Sequence, residues 1–543
     1  MTEKAFNLLE EPWIRAMLPN CTIQEVSLMD ALIQAQRFSH LAGELPVQDM
    51  ALLRVLLAVV HTVFSRVDER GQLHPIRDED DALERWQAIW AMKRFPEEPI
   101  RSYFETWKDR FYLFHPERPF YQVAQATAGT EFSAAKLNGE ISESSNKTRL
   151  FSVRTGKTKS CLTCAEAARW LIYINGFDDT SAKPKQQGLP SPGVGWLGAL
   201  GLIAAQGENL FETLMLNWVL LDDKGEPWGN NVPVWELEQP RTKERCEIPI
   251  PDNQAQLLTL QSRRLILLHD GQFVTGYKLL GGDFFSKVNA FAEQMTLWRH
   301  MPGKGSQPSY DQPRRHDPSR QIWREFSSIV TGTLNGAATE TQPIPGVVRW
   351  QRWLSQNELL DAKRMARFSI ASVQYGDENY FVKDTFSDAL SFHLNLLADA
   401  GKDWNRRIET EIALADKVAV AAMYLGSDIE KASGGAGGIL GEWMKTQFYA
   451  RIDMPFRRFL ETVDPADDYE QKMARMKAWH AEEWRVADAL GKEAVSRADQ
   501  TAFVGRTIVE KIKGKEEKKH YSLPEAYSKF MGQINKYLNK ERG

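Results

Sequence analysis

The sequence predicts an α+β protein, a mixed α/β N-terminal domain over residues 1–382 followed by an all-α helical bundle over residues 383–543. Three observations carry that expectation. The chain has 543 residues, beyond the roughly 250–300 at which a single core stops growing. Strand and turn signals cluster before residue 382, and beyond Lys383 apolar residues recur at helical spacing in long runs. The composition, 43% hydrophobic and 26% charged, is that of an ordinary globular protein and needs no disulfide scaffold.

In chain order, Ser27–Phe38 and Gln48–Phe64 have helical spacing, with Pro46 between them. The run Met50–Phe64 is nearly all apolar, but Arg54 and His61 interrupt it. It falls short of the ~20 residues that span a bilayer and reads as a buried helix. Cys161–Ile174 is a further helix, closed by Asn175-Gly176, and Leu210–Leu221 another. Arg264–Leu268 and Gln272–Tyr277 flank Asp270-Gly271, a hairpin turn sequence. Ala366–Tyr375 and Tyr380–Val382 flank a second turn at Gly376-Asp377. Lys136–Lys159 and Met301–Arg320 read as long loops, rich in cations and, in the second, in proline. Beyond the boundary, Phe386–Ala400, Ile408–Leu425, Ile439–Val463, Asp467–Leu490 and Ser522–Leu538 read as helices, with Gly434–Gly438 as a flexible break. Long helices with short connections imply a bundle.

The charge balance, 68 basic against 72 acidic residues, excludes a basic nucleic-acid coat. Any nucleic-acid contact then comes from local patches. Four cysteines and no secretory or lipidation signal fit a soluble protein of the reducing cytoplasm. Gly193-Val194-Gly195-Trp196-Leu197-Gly198 satisfies the dinucleotide fingerprint in letters only, because Pro190 and Pro192 precede it where a strand is required. Gly156-Lys157-Thr158 lacks the first glycine of a phosphate loop. Cys161 and Cys164 make half a zinc site, and Cys21 and Cys246 do not complete it, so zinc is not expected. His115, between Phe114 and Pro116, reads as a packed turn histidine. No metal-ligand histidine spacing or nucleophile elbow occurs. Two rivals to a binding role remain at this point: an enzyme whose hydrolase or nucleotide site is assembled from scattered residues, and a helical scaffold that touches no DNA.

Five motifs in order carry a resemblance that none carries alone. They are Phe6-Asn7-Leu8-Leu9 with Pro12-Trp13-Ile14, then Leu41-Ala42-Gly43-Glu44-Leu45-Pro46. Phe111–Gln122 (FYLFHPERPFYQ) follows, then Gly195-Trp196-Leu197-Gly198 and Asn209–Leu214 (NLFETL). Together they resemble the large-subunit (CasA) family of the type I-E CRISPR Cascade surveillance complex, over nearly the whole chain. The resemblance implies a C-terminal four-helix bundle and a non-catalytic subunit. It also implies recognition of a protospacer-adjacent motif in double-stranded DNA, opening of the duplex for guide-RNA pairing, and recruitment of a helicase-nuclease. The implied partners are guide RNA, other Cascade subunits, target DNA and that nuclease, with no membrane and no cofactor. The family's guide-proximal loop falls on Lys136–Lys159, with Phe151 as its aromatic anchor and Lys147, Arg149 and Arg154 as its cations. Its glycine-rich DNA-contacting loop falls on Gly176, Phe177, Asp178, Asp179 and Thr180, where only the first glycine is kept. Asp178 and Asp179 there would repel phosphate unless turned away. A minor-groove lysine matches Lys287. The duplex-opening wedge matches the hairpin tip Tyr375, Gly376, Asp377, Glu378 and Asn379, with Glu378 where the family has glutamine.

Overall fold

The computed structural model describes residues 4–143, 147–181, 183–334, 337–512 and 515–538. Its longest apolar helix, Pro46–Phe64, has every residue from Val47 to Phe64 buried except Asp49. Arg54, the break in its apolar run, is neutralised by a two-pronged ion pair to buried Glu293 at 2.8 and 2.9 Å. Glu293 also accepts from the indole N–H of Trp196 at 2.8 Å.

The Asp270-Gly271 signal is a hairpin between strands Arg263–His269 and Val274–Gly281. Asp270 accepts the backbone N–H groups of Gln272 and Phe273, and Gly271 sits at φ +102°. The second turn joins two longer antiparallel strands, Met365–Tyr375 and Val382–His393, and Leu202–Ala205 pairs along the free edge of the first. This long hairpin projects the turn 376–381 away from the sheet.

Four expectations need correction. The helix over Cys161–Ile174 begins at Cys164 and ends at Phe177. A capping box of Thr163 and Glu166 sets its start, and it runs through Asn175-Gly176. Met301–Arg320 is not a loop throughout, because Leu297–Met301 and Tyr310–Arg314 pair as a hairpin. Phe386–Ala400 is not a helix. Its first part completes strand Val382–His393, and two short 3-10 turns follow before helix Lys402–Ala432 begins. Strands also return late in the chain, where Arg506–Ile512 and Lys515–Tyr521 form a hairpin.

Helices Lys402–Ala432, Ile439–Thr462, Tyr469–Arg497 and Leu523–Leu538 close a ring of four, with the first and third also touching across it. The second docks on the sheet, where Trp323 stacks on Phe456 at 4.2 Å and Arg457 pairs with Asp388 at 2.8 Å. One continuous apolar core therefore runs from Leu8 to Leu538.

Candidate nucleic-acid interface

The tip of the long hairpin is a single 3-10 turn, Asp377–Asn379, in which Glu378 and Asn379 take left-handed backbone angles of φ +51° and +61°. Side chains other than glycine and asparagine disfavour that region, so neighbours must hold the turn. Thr180 does so from the loop after helix Cys164–Phe177. Its backbone N–H donates to the carbonyl of Asn379 at 3.0 Å and its hydroxyl to the carbonyl of Glu378 at 2.9 Å. Arg315 supplies the second hold. It donates to the carbonyl of Gly198 at 2.5 Å and to Asn379 Oδ1 at 2.8 Å, and its guanidinium lies 4.7 Å from the centre of the Tyr375 ring. Tyr375 donates its hydroxyl to the carbonyl of Phe177 at 2.6 Å, and burial pushes that phenol well above its ordinary proton affinity. The carboxylate of Glu378 and the ring of Tyr380 face outward, with Tyr380 54% exposed.

The loop below the tip corrects the family-based assignment. Gly176, Phe177, Asp178 and Asp179 are all buried, and none presents a side chain to a ligand. Asp178 pairs with Lys183 at 2.7 Å and with Arg263 at 2.5 Å, and Asp179 pairs with Lys136. Arg263 also donates to the carbonyls of Asp178, Asp179 and Gly193. Burial pushes the Asp178 carboxyl up, but Lys183, Arg263 and Lys136 together hold it below its ordinary value. Burial pulls the Lys183 ammonium down to about 8 against the attraction of Asp178. Both aspartates are thus turned inward and neutralised, and the repulsion of phosphate expected of them does not arise. Of the five loop residues, Thr180 alone reaches the tip.

Gly193–Gly198 is a packing segment rather than a dinucleotide loop. A Cβ at Gly195 would lie 2.3 Å from the carbonyl oxygen of Gly176, and one at Gly198 would lie 2.1 Å from the Tyr375 hydroxyl. Glycine here lets three segments meet beneath the tip.

Lys287 lies beside Arg315 in an open cavity of about 550 Å³ whose lining also includes Arg299, Arg314 and Arg320. Of these cations, Arg314 is committed to Glu325 at 2.5 Å, and Arg320 lies 3.5 Å from the other oxygen of the same carboxylate. Lys287 is exposed at the mouth but crowded on its inner side. That crowding first, and Arg315 second, lower its proton affinity. The cavity and the tip share Arg315, a residue that sequence reasoning missed. Its only signal was one cation among four in a proline-rich stretch.

The guide-proximal loop divides in two. Arg154 is committed to Glu166 at 2.6 Å and Glu140 at 3.2 Å. Arg149 donates to the carbonyls of Ile141 and Val382, and Lys147 sits over the Phe381 ring at the hairpin. Phe151 is 88% exposed, beside Leu150 at 89%. The loop therefore presents these apolar side chains together with the exposed ammonium of Lys157. Residues 144–146 lie outside the described residues.

Cys161 and Cys164 are unbridged, and among the described residues no group of three or more His, Cys, Asp or Glu side chains is placed to hold a metal. His115 accepts the backbone N–H groups of Glu117 and Arg118, as a turn histidine does.

Comparison with known proteins agrees with this architecture. A curated relative, the CRISPR-associated protein CasA/Cse1 of Thermus thermophilus, is 26% identical over 432 residues, 79% of this chain and 78% of that one. The crystal structure of Thermobifida fusca Cse1 superimposes with a TM-score of 0.82 at 27% identity, covering 99% of this chain and 98% of that one. A chain from a CRISPR RNA-guided surveillance complex shares the fold, with a TM-score of 0.68 at 18% identity over 99% of this chain and all of its own. The family described as CRISPR-associated protein Cse1 matches residues 7–490, and the chain belongs to that family, the large-subunit family of Cascade.

Proposed function

We propose that this chain recognises a short flanking motif in double-stranded DNA and opens the duplex beside it for pairing with a guide RNA. The observation that carries the reading is the braced, outward-facing tip 376–380 set beside the cationic cavity of Lys287 and Arg315. A minor groove presents a degenerate pattern of acceptors plus the guanine amino group, and a lysine with a hairpin tip suffices to read it loosely. Forcing a base step apart costs a few kcal/mol, and guide-RNA pairing offsets that cost, as in other guide-RNA effectors. Tyr380 supplies the ring that enters the step. Glu378 accepts a hydrogen bond from a base amino group, where a glutamine would also donate one.

In this reading the chain breaks no bond and needs no cofactor. It works in the cytoplasm within an assembly of guide RNA and other Cascade subunits, and it recruits the helicase-nuclease once target is bound. Family membership supports the assembly.

The test is duplex binding by the assembled complex across randomised flanking trinucleotides. Lys287→Ala is expected to weaken binding about tenfold and to lower the salt slope by roughly one. Glu378→Gln is expected to change which trinucleotides are preferred. A complex that assembles normally with Lys287→Ala and binds duplex unchanged refutes the reading.

A further inference from the structure

The motif over residues 115–122 remains unused by the duplex-opening reading, and it lines a second cavity of about 580 Å³. Arg263 and Arg264 are consecutive on one strand and point to opposite faces. Arg263 enters the ionic knot below the hairpin tip. Arg264 pairs with Asp283 at 2.5 Å and donates to the carbonyls of Thr242 and Gln261 at the wall of the second cavity. We propose that this cavity binds the phosphate and base of a nucleotide, either free or at the 5′ end of a single strand.

The charge comes first. Arg110, Arg118 and Arg241 line the cavity, and Glu117 is the only acid among its walls, which leaves an excess of two positive charges. After burial, the charge of Arg118 is the next cause that lowers the proton affinity of Arg110, so these two guanidiniums face each other's field. The second observation is unmet hydrogen bonding. Nη1 of Arg118 and Nε of Arg241 are shielded from water and lack an acceptor. Arg241 Nε meets Asp283 Oδ2 only as a long ion pair at 3.4 Å, while the other oxygen of that carboxylate takes Arg264 at 2.5 Å. Shielded donors on charged groups are costly to leave unmet, and phosphate oxygens satisfy guanidinium donors in pairs. A third feature selects the rest of the ligand. Gln261, 5% exposed, has a buried side-chain oxygen with no donor, and the rings of Phe120, Tyr121 and Trp235 form an apolar wall. An amino-bearing base laid on those rings would give Gln261 its donor. The volume lies within the roughly 300–1,000 Å³ of small-ligand sites.

The experiment uses the full chain alone, so its outcome is independent of duplex binding by the assembled complex. Adenosine 5′-monophosphate, unphosphorylated adenosine and a short 5′-phosphorylated single-stranded RNA are titrated and followed by tryptophan fluorescence and equilibrium dialysis. Saturable binding of a phosphorylated probe, absent for adenosine, is expected. Arg118→Gln and Arg241→Gln are each expected to weaken it about tenfold or more. Gln261→Leu, close in volume, weakens it by removing the acceptor offered to the base amino group. Binding of the mononucleotide marks a free-nucleotide site, and binding of the RNA alone marks a strand-end site. The proposal is overturned if no phosphorylated probe saturates the folded wild-type chain, if adenosine binds equally well, or if binding survives all three substitutions unchanged.

Discussion

Two clusters of charge flank the hairpin tip and behave in opposite ways. Below the hairpin tip, Asp178, Asp179, Lys136, Lys183 and Arg263 are buried and pair among themselves. Beside the tip, Glu378 points outward and Lys287 occupies an open, cationic cavity. Both clusters draw on charged residues scattered along the chain, and nothing in the letters separates them. The difference lies in partners. A charge whose counter-charge shares its burial builds the frame, and a charge left facing solvent is available to a ligand.

The largest expected effect comes from breaking the frame. Asp178→Ala leaves Arg263 and Lys183 buried without their acceptor and is expected to destabilise by about 3–5 kcal/mol, read from denaturant unfolding. A cost below about 1 kcal/mol would place the knot among ordinary surface pairs.

Asp49 sharpens the contrast because it is a shielded carboxylate without a paired cation. Burial first, and the nearby Glu44 among the other causes, raise it from 3.8 to about 7 despite the N–H of Gly43 that it accepts. The unfolded state ionises first, so its stabilising contribution is complete below 3.8 and is lost as pH rises to about 7. Asp49→Asn removes that dependence. The variant is expected to gain stability relative to the wild type across this window and to hold a constant advantage above it, measured by melting at a series of pH values.

Arg315 stands between frame and tip. Arg315→Ala removes two hydrogen bonds and the contact with Tyr375, with an expected cost of about 1–3 kcal/mol. Amide exchange at residues 376–381 should accelerate while the distant helical bundle keeps its protection. Uniform acceleration would mean that Arg315 supports the whole sheet and not the turn. The smallest effect belongs to Glu378→Gln, expected to leave stability within about 0.5 kcal/mol in the same unfolding assay. In the proposed reading its consequences fall on motif choice.

The sequence disclosed the elements whose signals are local. Asp270-Gly271, Gly376-Asp377 and the long amphipathic helices needed no tertiary information. It concealed those that depend on pairing. Phe386–His393 has helical spacing, yet the exposed edge of Met365–Tyr375 draws it into register as a strand. Lys515–Tyr521 is dominated by lysine and glutamate, poor strand formers, and becomes a strand only beside Arg506–Ile512. Tyr310–Arg314 carries a proline and sits on a two-stranded edge where proline is tolerated. At the candidate site, family resemblance supplied the roles assigned to the hairpin tip and Lys287. Letters alone did not show that Asp178 and Asp179 turn inward, because Lys136 and Arg263 lie 43 and 85 residues away from their partners. Arg315 was hidden for the same reason.

Thr180 grips the tip by main-chain carbonyls, not by side chains. The mounting of the turn therefore depends on the left-handed backbone at position 378 and makes no use of its side chain. A residue that accepts that backbone can replace Glu378 without loosening the turn, so in the proposed reading the chemistry offered to DNA and the support beneath it vary separately.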